Sequence, residues 1–273
     1  MRSVDTGRMD LLHDALRAGR AAAPSTQAAR RGVLVAGGGG ALGSAVLEQL
    51  LASGVFAPVS VLVTQALNTA LRGLVAVPQA ALDGTAAPLP AQALAIIVFD
   101  RARHANGREL AFMRPEPQDL PGLASRLRAC GVANLVVVMP HAPASLPDAL
   151  KRGLANLDEQ AVASLGFDRF VLVRSAQAGT VARPGRTLQK LADAVLSQLR
   201  VMVPQHERAV RAVKVAQFTV ALAAWLHEMP HGTRVVPPQA LWLAAQRQDP
   251  TALVRDILQG RPLPQMQHHA TRM

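Results

Sequence analysis

The chain has 273 residues, half of them apolar, with 29 Lys and Arg against 18 Asp and Glu and a formal net charge of +11. A charged fraction of only 17% excludes disorder of the whole chain and leaves ample apolar material for one large domain or two small ones. The single cysteine, Cys130, excludes an internal disulfide and makes a reducing cytoplasm the expected compartment, while the absence of any tyrosine removes one common proton donor.

No apolar run approaches the roughly 18 residues needed to cross a bilayer, so no membrane partner is expected. Residues 1–31 lack the apolar stretch of a secretory signal, and Asp5, Asp10 and Asp14 oppose a transit peptide; an extra helix over Met9 to Arg20 and a linker over Ala21 to Gln27 are expected. The positive charge would suit a nucleic acid, but the arginines are scattered and only two Trp and six Phe are available to stack on bases. The ordered basic stripe Arg208, Arg211 and Lys214 reads as a solvated helix face, which makes nucleic acid an unlikely partner and leaves a protein partner open.

Val33 to Ala36 is a continuous apolar run of the kind that forms a strand buried on both faces. Gly37 to Gly40 follow, then Ala41 to Leu51 with apolar residues at helical spacing, and a stop at Gly54. Further strands are predicted over Val59 to Val63, Leu74 to Val77, Leu94 to Phe99, Asn134 to Met139 and Phe170 to Val173, with helices over Pro117 to Cys130 and over Ala149 to Leu165, the latter capped by Gly166. Strands alternating with helices specify an α/β fold, a doubly wound parallel sheet of Rossmann-like type over residues 32–175. Beyond it, helices over Thr187 to Val201, His206 to Trp225, Gln239 to Ala245 and Thr251 to Leu258, with a short edge strand at Val235-Val236, predict a mostly helical C-terminal part, 176–261. That part is expected to lie over the carboxyl ends of the strands, with 262–273 as a tail.

The strongest chemical signal is Ala36-Gly-Gly-Gly-Gly-Ala-Leu-Gly43, which fits both Gly37-x-x-Gly40-x-x-Gly43 and Gly38-x-Gly40-x-x-Gly43. Glycines at these places let the chain turn tightly out of the first strand, let backbone approach a pyrophosphate, and let the helix pack closely on the sheet. Amides of Gly37, Gly38, Gly39, Gly40, Ala41, Leu42 and Gly43 at the helix start would face a dinucleotide's phosphates, aided by the helix dipole. The alternative is a flexible turn with no ligand. Asp100, at the end of the fourth strand, joins the candidate cofactor residues.

The ribose of such a cofactor should lie near the end of the second strand, about 20 residues on, where an acid favours NAD and a base NADP. That end reads Val63-Thr64-Gln65, and no acid occurs between Glu48 and Asp83. Thr64 and the cation Arg72 are therefore the candidate ribose-side groups, and NADP(H) is preferred over NAD(H); Arg72 can equally be read as a solvated loop residue.

With the glycine turn, the Gly107 to Phe112 loop, the Leu135 to Met139 strand and the Ala161 to Arg174 stretch in view, the sequence from about 32 to 245 resembles the atypical short-chain dehydrogenase/reductase superfamily. The order of features is similar to the Tat-interacting-protein-like oxidoreductases and to NmrA-like sensors. The resemblance implies NAD(P)(H) binding and, for active members, hydride transfer assisted by a Tyr-x-x-x-Lys pair and a Ser. It puts Lys151 at the Tyr position and Ala155 at the Lys position, with Pro140 or His141 in place of the Ser and Arg174-Ser175 where the family has Arg-Pro. With no tyrosine anywhere, catalysis would need another donor; His141, Lys151 and Ser145 are the available groups. The expected function is a non-catalytic nucleotide sensor or regulatory protein, with an NADPH-dependent oxidoreductase using a reassigned donor as the alternative.

His227-Glu-Met-Pro-His231 spells a zinc signature, H-E-x-x-H, but Pro230 cannot donate in a helix and pushes Met229 out of helical angles. A helix end is the expected reading there, and no metal site is predicted.

Overall fold

The structure, a computed structural model, describes residues 31–66, 72–83, 94–100, 109–141, 157–176 and 210–263. The expected helices over Met9 to Arg20 and Thr187 to Val201, and the tail from residue 264, lie outside the described residues.

Among the described residues seven strands form one sheet: β1 (Arg31–Ala36), β2 (Phe56–Val63), β3 (Leu74–Pro78), β4 (Leu94–Val98), β5 (Asn134–His141), β6 (Arg169–Ala176) and β7 (Gly232–Val236). Their order is β3-β2-β1-β4-β5-β6-β7 and each pairing is parallel, so the sheet is doubly wound and Rossmann-like, with its direction reversing between β1 and β4. Side chains alternate across it. Val33 and Val35 of β1 enter one core cluster while Leu34 and Ala36 enter the other, which is why the strand reads as an unbroken apolar run.

Helices α1 (Ala41–Ser53), α4 (Ala212–Trp225), α5 (Pro238–Ala245) and α6 (Thr251–Leu258) contribute to the first cluster; α2 (Leu120–Ala129) and α3 (Leu157–Ala163) contribute to the second. Helix α1 stops where expected, because Gly54 takes a left-handed conformation with φ 63°. Among the described residues no helix is long and apolar enough to cross a membrane.

The described part of the C-terminal stretch, residues 210–263, adds β7 to the sheet and packs on one of its faces. A seventh parallel strand beside β6 demands a crossover, so α4 runs back along the sheet and packs on α1, and the proposed edge strand is longer than Val235-Val236 and parallel to β6.

Candidate functional site

The chain leaves β1 at Ala36 and enters α1 at Ala41, and close packing requires glycine at four positions between and just beyond. Gly37 has φ 96°, and a Cβ there would overlap the Val98 carbonyl oxygen of β4. At Gly38 a Cβ would stand 2.9 Å from both Leu47 Cδ1 and Val61 Cγ2 and 3.1 Å from Phe112 Cδ1. Gly40, the extended N-cap of α1, would drive a Cβ into the carboxylate of Asp100, 2.6 Å from its Cγ. Gly43, the third residue of α1, would press one onto the Gly37 carbonyl. The Ser44 hydroxyl ties the turn back by donating to the Gly38 carbonyl at 3.2 Å.

Gly40 brings no side-chain acceptor to cap α1. The Leu42 amide instead donates to Asp100 Oδ2 at 2.6 Å, a charge-assisted bond across the gap between the ends of β1 and β4. Asp100 and the glycine turn therefore meet at the reversal of the sheet, the crevice where open α/β folds take ligands. Ala41, beside Leu42, is exposed.

Thr64 stands at the end of β2 as predicted, but its groups face a segment the sequence reading did not connect to it. Its amide donates to the Ala111 carbonyl at 2.8 Å, and its hydroxyl lies 3.1 Å from the Leu110 oxygen and 3.3 Å from that of Ala111. Met113 N donates to the Leu62 carbonyl at 2.9 Å, and Val63 forms an antiparallel bridge with Phe112. Residues 110–113 thus run antiparallel alongside the end of β2; Pro115 continues onto Gly37, its Cδ 3.4 Å from where a Cβ would be.

Arg72 is not brought to this crevice. It precedes β3, whose Leu74 is in register with Val59 of β2, so it stands at the amino end of the strands. Thr64 lies five residues further along β2, about 16 Å away at strand rise, well beyond an arginine's reach. Nearness along the chain does not bring Arg72 to Thr64, because β3 begins again at the amino end of the strands. Arg114, exposed and between the residues that meet Leu62 and Gly37, is the cation carried by the segment alongside β2.

At the carboxyl end of β5, His141 is in register with Ala176 of β6. Ser145 and Lys151 lie outside the described residues. Beside His141, sequence reasoning noted Arg174 only as a departure from the family pattern. Arg174 is buried at the end of β6 and donates from Nη2 to Glu159 Oε2 of α3 at 2.8 Å. Burial lowers the guanidinium pKa, and the Glu159 charge opposes that shift. The available signal was Glu159 three residues before the buried Val162, on the helix face turned to the sheet.

The H-E-x-x-H stretch is not one continuous helix. Residues Leu226–Glu228 make a 3₁₀ turn, and Met229 is extended with φ −70° and ψ 134°, as Pro230 demands. His227 Nδ1 lies 3.1 Å from Arg31 Nη1 and 3.0 Å from the Ala224 carbonyl oxygen, while Glu228 accepts from Arg255 Nε at 2.8 Å. Among the described residues no three His, Cys, Asp or Glu side chains are grouped to hold a metal ion.

No protein family and no curated protein matches this sequence. Among solved structures the chain is similar to UDP-N-acetylglucosamine 4-epimerase from Bacillus cereus, with 15% identity over 76% of this chain and 79% of that one and a TM-score of 0.43. It is similar to the Bordetella bronchiseptica enzyme WbmH in complex with NAD+, with 15% identity over 78% and 79% and a TM-score of 0.43. A Rossmann-fold NAD(P)-binding family protein from Shigella flexneri is also similar, with 13% identity over 64% of this chain and 90% of that one and a TM-score of 0.37. The Rossmann-like fold of this chain is established by its own strand order and pairing, which is the architecture the resemblance to short-chain dehydrogenases/reductases implied.

Proposed function

We propose that the chain binds a nicotinamide dinucleotide as a short-chain-dehydrogenase-like protein without the usual Tyr-x-x-x-Lys pair, and that it acts as a cytoplasmic nucleotide sensor or regulatory protein. The observation that carries this reading is the glycine turn at the β1/β4 reversal, opening directly into a 13-residue helix whose N-cap contributes no side-chain acceptor. In this reading Gly37, Gly38, Gly39 and Gly40 form the turn, the amides of Ala41 and Leu42 donate to phosphate oxygens, Gly43 keeps the helix close, Thr64 borders the ribose, and Asp100 stands at the phosphate position. NADP(H) is preferred because no acid stands at the end of β2, with Arg114 rather than Arg72 as the cation for a 2′-phosphate. The bound cofactor would supply hydride chemistry; the protein's part is to hold and orient it.

The second reading is an oxidoreductase with a reassigned donor. It is favoured by the position of His141, which β5 carries to the carboxyl edge of the sheet. In that reading His141, with Lys151 or Ser145, passes the proton to the substrate oxygen.

The test is a thermal-shift titration of the purified chain against NADPH, NADP⁺, NADH and NAD⁺. The expected result is stabilisation, strongest with NADPH, and its loss in Ala41→Glu, which puts a carboxylate at the exposed helix start without disturbing the core. Failure of all four to stabilise both the wild type and Asp100→Asn would overturn the reading.

A further inference from the structure

We propose that Asp100 sets the affinity and the charge selectivity of the crevice by holding the phosphate position itself, so that a phosphate-bearing ligand binds only by displacing its carboxylate. The inference rests on the dinucleotide reading above and concerns what this chain places in its own site.

Asp100 does not stand beside the cradle but in it. Its Oδ2 takes the Leu42 amide at 2.6 Å, and its side chain leans over Gly40 so closely that a Cβ there would lie 2.6 Å from its Cγ and 2.8 Å from its Cβ. A helix N-terminus attracts negative charge, and here an internal anion already satisfies it. A pyrophosphate oxygen and the Asp100 carboxylate cannot share one amide, and two anions at hydrogen-bond separation repel. The neighbouring space is filled in the same way: Phe112 abuts Gly38, and the 110–113 segment bonds to the end of β2, where the adenosine ribose would lie. Opening the phosphate position therefore costs one charge-assisted bond. That cost falls only on ligands that bring phosphate.

The experiment compares wild type, Asp100→Asn and Asp100→Ala, each shown folded by circular dichroism, for dissociation constants of NADPH, inorganic pyrophosphate and adenosine. Replacing the carboxylate should tighten NADPH and pyrophosphate by at least about tenfold, the worth of a charge-assisted bond, and leave adenosine within about twofold. The alanine variant covers the case in which asparagine keeps the bond to Leu42. If wild type binds NADPH and both variants bind it equally or more weakly, Asp100 is only a helix cap or a cofactor contact, and the inference falls while the dinucleotide reading stands. An equal gain for adenosine would also overturn it, since relief would then be steric. If no variant binds any phosphate-bearing probe, the dinucleotide reading fails and takes the inference with it.

Discussion

Gly43→Ala and Gly122→Ala are a matched pair that tests the geometry of the turn. Each glycine is the third residue of its helix, α1 or α2, and neither has a positive φ. Propensity alone says that alanine should stabilise both by about 0.5–1 kcal/mol. A Cβ at Gly122 would meet nothing within 4 Å, so that gain should appear in full. At Gly43 the new carbon would overlap the Gly37 carbonyl oxygen and stand 2.8 Å from its carbon and 3.0 Å from that of Gly38. These are backbone atoms held by β1 and the turn, so the helix itself must shift. Overpacking of this kind costs about 1–3 kcal/mol, and more where backbone cannot yield. Net of propensity, Gly43→Ala should lose about 1–2 kcal/mol or more. At about 2–4 °C per kcal/mol for a chain of this size, Tm should fall by about 2–8 °C, against a rise of about 1–4 °C for Gly122→Ala. Thermal and urea unfolding followed by circular dichroism would read both. A Gly43→Ala protein as stable as Gly122→Ala would refute the close approach of α1 to the turn, and with it the argument for why this spacing needs glycine.

The buried pair between α3 and β6 gives a second prediction. Glu159→Gln removes the carboxylate that accepts from Arg174 Nη2 and should cost about 3–5 kcal/mol of unfolding free energy, read by urea denaturation, while the double variant Glu159→Leu/Arg174→Met should recover most of it; a loss below about 1 kcal/mol would show that the pair is solvated. The third concerns acid. Hydrogen bonds from the Thr251 side chain and amide, the latter at 2.8 Å, hold Asp249 below its ordinary value of 3.8. A carboxyl lowered by folding adds stability that is present above that ordinary value and lost as pH falls through the lowered native one. Asp249→Asn should therefore flatten the acid limb of the stability profile below about pH 4, and superimposable curves for the two proteins would refute the contact.

The sheet was legible because its strands are covered on both faces, leaving runs such as Leu94 to Val98 with every side chain buried. The start of β2 was not. Pro58 reads as a break, yet Arg31 pairs with Phe56 while Val33 pairs with Val59, so the ladder has an extra residue where a proline without an N–H is tolerated. Contacts between distant residues were also beyond the sequence. Nothing in Thr64 or Leu42 announces Ala111, 47 residues away, or Asp100, 58 residues away.

Those contacts change what the glycine cluster can be taken to mean. Its spacing satisfies two demands at once, close packing within the chain and close approach of a phosphate, and the sequence cannot separate them. In the folded chain the first demand is met: Gly37, Gly38 and Gly40 abut Val98, Phe112 and Asp100, and Gly43 abuts the turn itself. In the proposed reading a phosphate would compete with Asp100 for the Leu42 amide. The missing tyrosine bears on the other end of the crevice, where hydride transfer would need a proton donor. If the crevice takes a dinucleotide as proposed, binding would exchange the internal contact between Asp100 and the Leu42 amide for a contact to the ligand, and such an exchange would give a nucleotide sensor its two states.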